Sequence, residues 1–508
     1  MNIKGAKEEI KHAVKAYLLK DEFGEYKMSP IRQRPILLMG PPGIGKTAIM
    51  EQISRECSIG LVAYTITHHT RQSAIGLPFI QTKKFGGQEY SVTEYTMSEI
   101  IASVYEKIET TGLKEGILFL DEINCVSETL APAMLQFLQC KTFGTHSVPE
   151  GWIIVAAGNP PEYNKSVREF DIVTLDRMKK IDVEDDFTVW KEYAYQASIH
   201  GAILSYLEIK KNNFYAIETT IDGKKFVTAR GWEDLSQIIY VYEELKIPIN
   251  ENLIIQYLQH KKIAKDFANY LDLYAKYKND YAVDEILAGN IKETIVEKLQ
   301  VASFDERLSV IGLLLSRLSE SFAQVYHIEL FVTELYRKLT TLKTSMLNPE
   351  NKENEWEEIL ENLAEETNRE TIHKKKAGLL DKQEERAMLR VLDTLEQYKK
   401  EIKKSDIHKN EDAFALIKSL FDQEITKRKD KINESSEYLN HAFLFLEKAF
   451  GENQEMVVFI TELTMNYYSV KFINGNGNDK FFHYNKELLF DEKQRSILRN
   501  INEVKSLM

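Results

Sequence analysis

The octapeptide Gly40-Pro41-Pro42-Gly43-Ile44-Gly45-Lys46-Thr47 groups the residues best suited to chemistry in this chain. It fits the pattern G-x-x-x-x-G-K-[ST]. Glycines allow such a loop to turn successive N–H groups inward as an anion nest. A helix that starts at the end of the loop adds its dipole. Lys46 would then neutralise β- and γ-phosphate charge on a nucleotide, and Thr47 Oγ would hold Mg²⁺. The alternative is a chance glycine turn. The apolar run before the loop and the helical pattern after it argue against that.

A second group is Asp121-Glu122, delivered at the end of the apolar run Ile117-Leu118-Phe119-Leu120. Sheets flanked by helices place ligands at the carboxyl ends of their strands. Asp121 would bind Mg²⁺ through water, and Glu122 would orient and deprotonate an attacking water. An acidic pair after a strand is common by itself. Here it stands 75 residues after Lys46, a gap long enough for an additional strand between the two motif strands. A third group is Gly158-Asn159-Pro160. Alone, Asn-Pro reads as a turn. At the end of another apolar run, beside the two motifs above, Asn159 would contact the γ-phosphate and the water.

These groups need a sheet to bring them together. Pro35–Met39, Gly60–Ile66, Gly116–Leu120, Trp152–Ala157 and Met178–Val183 read as strands, and Thr47–Cys57 and Thr129–Leu138 as amphipathic helices. Strands apolar on both faces and alternating with helices imply a parallel sheet covered on both sides. After Asp186 the pattern turns helical, interrupted by Phe214–Val227, which alternates around Asp222-Gly223 like a hairpin.

Composition bounds the rest. A chain of 508 residues is too long for one core. Its 43% hydrophobic and 28% charged content suits a soluble globular protein. The net charge of -12 disfavours a protein built mainly to coat phosphate backbones. Cys57, Cys125 and Cys140 form no metal-ligand spacing and read as packing residues in a reducing cytosol. His68-His69 lacks a third ligand nearby. No signal-peptide core opens the sequence, and no apolar run reaches the roughly 18 residues of a membrane span. A cytoplasmic location is therefore expected.

All 11 prolines lie at or before Pro349, and residues 351–435 carry 18 basic and 21 acidic side chains in 85 positions. That stretch reads as long helices with solvated faces, in the manner of a coiled-coil arm. Ser435–Gly451 reads as a helix ended by Gly451. The aromatic residues after it, broken by Asn474-Gly475-Asn476-Gly477, read as a small αβ unit whose aromatics form either its core or a partner surface. The organisation expected is therefore a core over 1–185, a lid over 186–262 with a hairpin insert, a helical extension over 263–345, a charged arm over 346–435 and a terminal unit over 436–508.

With these motifs in hand the sequence resembles the AAA+ ATPases, and among them the MoxR-like group. The resemblance covers about residues 30–250 and includes Gly76-Leu77-Pro78 and Leu175-Asp176-Arg177. It implies a P-loop NTPase αβα core with a five-stranded parallel sheet in the order 5-1-4-3-2, a helical AAA+ lid, and a ring, most often a hexamer. It implies that Arg177 is an arginine finger for the neighbouring subunit, although Met178 follows where the family usually has phenylalanine. It implies that Arg230, in Thr228-Ala229-Arg230 where the family often has Ser/Thr-Pro-Arg, is the lid's nucleotide sensor. Both arginines are otherwise surface or ion-pair residues. A hairpin over Thr82–Met97 would match the family's pore-facing insert or be an ordinary surface hairpin.

Three functions compete. One is ATP-driven remodelling or maturation of a protein client, or of a partner bearing a von Willebrand factor A domain, as the resemblance implies. The second is a nucleic-acid motor of the McrB or MCM type. The third is a nucleotide-gated scaffold with little turnover, against which Glu122 argues.

Overall fold

The computed structural model describes residues 1–68, 74–163, 167, 169–220, 223–347 and 355–486. The chain divides into two compact units. One comprises Met1–Val189 with Glu365–Arg386, and the other comprises Trp190–Ala364 with the chain from Ala387 onward.

In the first unit, helix α1 (Ile3–Tyr17), capped by Asn2, precedes strand β1 (Ile36–Met39), helix α2 (Lys46–Cys57) and strand β2 (Gly60–Thr65). A hairpin of β3 (Pro78–Phe85) and β4 (Gln88–Tyr95) follows, then α3 (Glu99–Thr111), β5 (Gly116–Asp121) and α4 (Ala131–Cys140). A short pair, β6 (Thr142–Phe143) and β7 (His146–Ser147), leads to β8 (Trp152–Gly158), α5 (Ile172–Leu175) and β9 (Lys179–Asp182). The main sheet runs β2-β5-β8-β1-β9 with every neighbouring pair parallel. Counting only these five strands, the order is 5-1-4-3-2, as the resemblance implies.

Alternation along the strands explains the layers. Leu37, Leu118, Leu120, Ile154 and Ala156 share one buried cluster with Ile100, Ile101 and Val104 of α3 and Met134, Phe137 and Leu138 of α4. The residues between them face the other side, where α2 packs on the sheet and α1 packs on α2. Gly60, Gly116 and Trp152 stand in register across three strands. A Cβ on Gly116 would fall 2.6 Å from the Trp152 ring, so the indole fills the space that glycine leaves.

The β3–β4 hairpin begins earlier than Thr82, because Pro78 already pairs with Tyr95. Gly86 and Gly87 both have positive φ, 58° and 84°, which a two-residue turn matching strand twist requires. At its neck, Gly76 has φ 104° and a Cβ there would lie 2.0 Å from the Thr96 carbonyl oxygen. The β6–β7 pair is not apparent in the sequence. Phe143 stacks on Phe137 at 4.1 Å, and a His146 ring nitrogen lies 3.0 Å from the Tyr95 carbonyl oxygen.

Among its described residues the second unit is helical apart from β10 (Ala216–Thr220) and β11 (Gly223–Val227), an antiparallel pair whose Asp222 lies outside the described residues. Helices α6 (Phe187–Gln196, entering from the first unit), α7 (Gly201–Ile209), α8 (Ala229–Leu245), α9 (Glu251–Leu258) and α10 (Lys261–Asp280) come first. Tyr206, Trp232 and Phe267 cluster there, with Trp232 and Phe267 ring centroids 5.2 Å apart. Two short helices, α11 (Val283–Leu287) and α12 (Glu293–Gln300), lead to α13 (Phe304–Met346), which runs for 43 residues. After it come α14 (Trp356–Ala377), which from Glu365 belongs to the first unit, α15 (Lys382–Lys404), which from Ala387 belongs again to the second, and α16 (Asn410–Phe450).

The charged arm is a packed bundle. Leu335, Leu342, Leu360, Val391, Leu395 and Ile417, from four helices, share one core. Helix α16 passes straight through residue 435, where a boundary was expected, since no glycine or proline interrupts Asn410–Phe450. Helices α17 (Gln454–Met465) and α18 (Tyr467–Asn476) follow. The terminal segment expected as αβ therefore shows no strand among the described residues; 487–508 lie outside them. Its aromatics fall at helical spacing, as Phe459 with Leu463 and Tyr468 with Phe472. The Asn-Gly-Asn-Gly stretch ends α18, with Gly477 at φ 74°.

Buried ions hold α17 in place. Lys191 of α6, 2% exposed, pairs with Glu208 and with Glu462 of α17, and Tyr195 donates to the same Glu462. Two turns earlier on the same face of α17, Glu455 pairs with Arg307 at 2.9 Å. No helix among the described residues is long and apolar enough to cross a membrane.

Candidate functional site

The loop Gly40–Thr47 spans the end of β1 and the start of α2. Gly40 is pressed against β9: a Cβ would fall 2.6 Å from the Val183 carbonyl oxygen. Gly43 and Gly45 take positive φ, 75° and 92°, while Pro41 and Ile44 are buried and anchor the loop. Gly45 caps α2, and no side chain accepts from the helix's first amides. A helix N-terminus opening on a glycine loop, with no side chain capping it, is the arrangement that binds phosphate.

Lys46 is buried at 8% exposure. Its Nζ donates to the Gly40 and Pro41 carbonyls, each at 2.8 Å, and to Asn159 Oδ1 at 2.9 Å. The P-loop lysine and the end of β8 therefore meet, because β1 and β8 are neighbours with Met39 opposite Gly158. Thr47 Oγ1 donates to Asp121 Oδ2 at 3.1 Å, and Asp121 Oδ1 accepts from the Glu122 N–H at 2.9 Å. A hydroxyl and a carboxylate this close are hard oxygen donors of the kind Mg²⁺ takes when phosphate oxygens and water complete its shell. The residues present fit the ion. Among the described residues no cluster of three or more His, Cys, Asp or Glu suits a metal by itself.

Glu122 stands in the left-handed region, φ 56°, a conformation that costs energy for a non-glycine residue. Its Oε2 accepts from Thr67 Oγ1 at 3.1 Å. Thr67 lies just beyond β2, and β2 flanks β5 with Thr65 opposite Asp121. Thr67 is a site residue that the sequence reading missed. A second is Asn124, whose Nδ2 donates to the Asn159 carbonyl at 2.8 Å. Polar residues just past apolar strands are the signal that both offer. That signal is weak until the strand order is known.

The remaining expected residues do not join this group. Arg177, exposed after α5, donates to Gln139 of α4 and to no P-loop residue among the described hydrogen bonds. Met178, where phenylalanine is usual, is buried at 4% in the core cluster and serves as a core residue. Arg230 belongs to the second unit, exposed in the first turn of α8, where Thr228 Oγ1 accepts from Gly231 N. His69 lies outside the described residues. Of the cysteines, Cys140 is exposed rather than packed, on the outer side of the last turn of α4.

A comparison with curated proteins found no match. Residues 36–175 match the family model described as ATPase family associated with various cellular activities (AAA). The matched stretch contains Gly40–Thr47, Asp121, Glu122 and Asn159, and ends short of Arg177 and Arg230. The chain thus carries an AAA domain on a five-stranded parallel sheet, and it is an ATPase that uses ATP and Mg²⁺.

Proposed function

We propose that this protein is a MoxR-like AAA+ ATPase that works as a cytoplasmic ring, most simply a hexamer, and remodels or matures a protein partner. The β3–β4 hairpin carries this reading. Phe79, Ile80, Phe85 and Tyr90 on it are exposed. Its lysines are matched across the strands, Lys83 with Glu94 and Lys84 with Glu89. Exposed apolar and aromatic side chains on an uncovered two-stranded sheet suit a polypeptide. Matched charges offer a phosphate backbone little attraction. A client protein or a partner with a von Willebrand factor A domain therefore fits better than nucleic acid.

The site supports the following roles. Lys46 exchanges the Gly40 and Pro41 carbonyls for β- and γ-phosphate oxygens. Thr47 and Asp121 would hold Mg²⁺, whose charge would offset that of those phosphates. Glu122, leaving its bond to Thr67, takes a proton from the water as its oxygen attacks the γ-phosphorus. The bond to the β–γ bridging oxygen breaks, and ADP leaves with that electron pair. Asn159 orients the γ-phosphate and the water. Arg177 of a neighbouring copy balances charge in the transition state, an effect worth about 10³–10⁵ in rate. Arg230 senses the nucleotide from the lid.

Mixing two inactive variants tests the shared site. Arg177→Ala and Glu122→Gln should each bind ATP and each turn over slowly. A finger acting in trans makes their mixture active, because a Glu122→Gln copy lends Arg177 to a neighbour with an intact Glu122. A mixture no faster than its parts would sink the shared site. Strong stimulation of the wild type by DNA or RNA, in a salt-dependent manner, would instead favour the nucleic-acid motor.

A further inference from the structure

Asn124 follows Asp121 by three positions, in the single turn Ile123–Cys125, and is 2% exposed. Its amide is only half satisfied. Nδ2 donates to the Asn159 carbonyl at 2.8 Å, while Oδ1 is buried with no hydrogen-bond partner. Turning the amide over would not help, since it would set Oδ1 against the Asn159 carbonyl oxygen. A buried polar atom without a partner calls for an explanation. An apolar side chain would fill this space without that cost, so packing alone does not account for asparagine.

The surroundings are shaped to this side chain. A Cβ on Gly158 would fall 2.5 Å from Asn124 Oδ1, so the amide lies directly on the main chain of β8 one residue before Asn159. Asn159 in turn receives Lys46 Nζ at 2.9 Å. One amide therefore joins the turn that carries Glu122 to the residue that touches the P-loop lysine.

We propose that Asn124 is a positioning residue for ATP hydrolysis: it holds the Asn159 main chain, and so places the Asn159 side chain beside Lys46 in step with the turn carrying Glu122. This rests on the reading of Asn159 as the residue that orients the γ-phosphate and water.

The test is a double-mutant cycle on the full chain, with kcat and KM for ATP and thermal melting measured for each variant. Asn124→Ala should lower kcat about tenfold or more while KM stays within about twofold. Asn124→Asp should be at least as slow, because a carboxylate oxygen would face the Asn159 carbonyl. Combined with Asn159→Ala, Asn124→Ala should cost nothing further, since both changes remove the same placement. Losses that multiply in the double variant, an unchanged kcat, or a KM rise that matches the kcat loss would each overturn the proposal. If Asn124→Ala does not fold, Asn124→Ser takes its place in the cycle with the same non-additivity expected. A slow Asn159→Ala beside a fast Asn124→Ala sinks only the role of Asn124. A fast Asn159→Ala sinks the reading of Asn159 and this proposal with it.

Discussion

Two buried lysines, one in each unit, show opposite ways of keeping a charge out of water. Lys46, at 8% exposure, donates to two main-chain carbonyls and an asparagine oxygen. Lys191, at 2%, is clasped by the carboxylates of Glu208 and Glu462. The carbonyl and amide oxygens that Lys46 meets are neutral, so an anionic phosphate gains by displacing them. Carboxylates compensate Lys191 within the fold, so a ligand has little to offer it, and removing a partner is costly. The difference separates a lysine held for a substrate from a lysine that fastens helices.

The sharpest way to break this comparison is to truncate both. Lys46→Ala should abolish measurable ATP binding and turnover while the melting temperature changes little. Lys191→Ala should leave the P-loop intact but destabilise the second unit by about 3–5 kcal/mol, through two carboxylates left in the interior. Urea unfolding and nucleotide binding measured on both variants decide it. Equal stability losses would erase the distinction.

Swapping a carboxylate for an amide repeats the comparison with a smaller change. Glu122→Gln should retain ATP and Mg²⁺ binding yet lose about 10²–10⁴ in kcat, the range for a general base. Glu462→Gln should lower stability by a few kcal/mol, since Lys191 and Tyr195 lose a charged acceptor. Single-turnover ATPase assays and melting curves separate the two. A turnover defect in a fully folded Glu462→Gln would show that α17 takes part in the chemistry.

A third buried lysine sharpens the comparison by pH. Lys141 donates to Gln33 Oε1 at 2.7 Å and to the Trp152 carbonyl at 3.2 Å. Burial pushes its pKa down from 10.5 to about 8. Between those values the unfolded chain binds more protons than the folded one, so stability rises with pH. Relative to Lys141→Met, the wild type should gain stability from about pH 8 towards 10.5. The gain approaches at most about 3 kcal/mol, from 1.36 kcal/mol per pKa unit. A flat difference across that window in denaturant titrations would show that the ammonium is better compensated than its partners suggest.

Much of this was legible in the residues. Glycine positions in Gly40–Thr47, the apolar run into Asp121 and the parallel sheet order followed from local rules and from the resemblance. The terminal αβ unit did not hold among the described residues, because aromatic residues near Asn-Gly pairs suit a hairpin as well as a capped helix. Phe459 with Leu463 and Tyr468 with Phe472 show which period applies. The arm's charge also hid its core. Leu360, Val391 and Ile417 sit among many charged neighbours, so composition reported the wet faces and not the buried seam.

By itself the sequence determined the P-loop and its acidic partners, because turn geometry, helix dipole and strand burial act over a few residues. Only the tertiary structure decided that Thr67 reaches Glu122, that Asn124 holds Asn159 and that Glu462 clasps Lys191. Those pairs are 55, 35 and 271 positions apart. Contacts across such distances depend on which strands and helices become neighbours. That choice is made by the burial of whole faces, which no single residue announces.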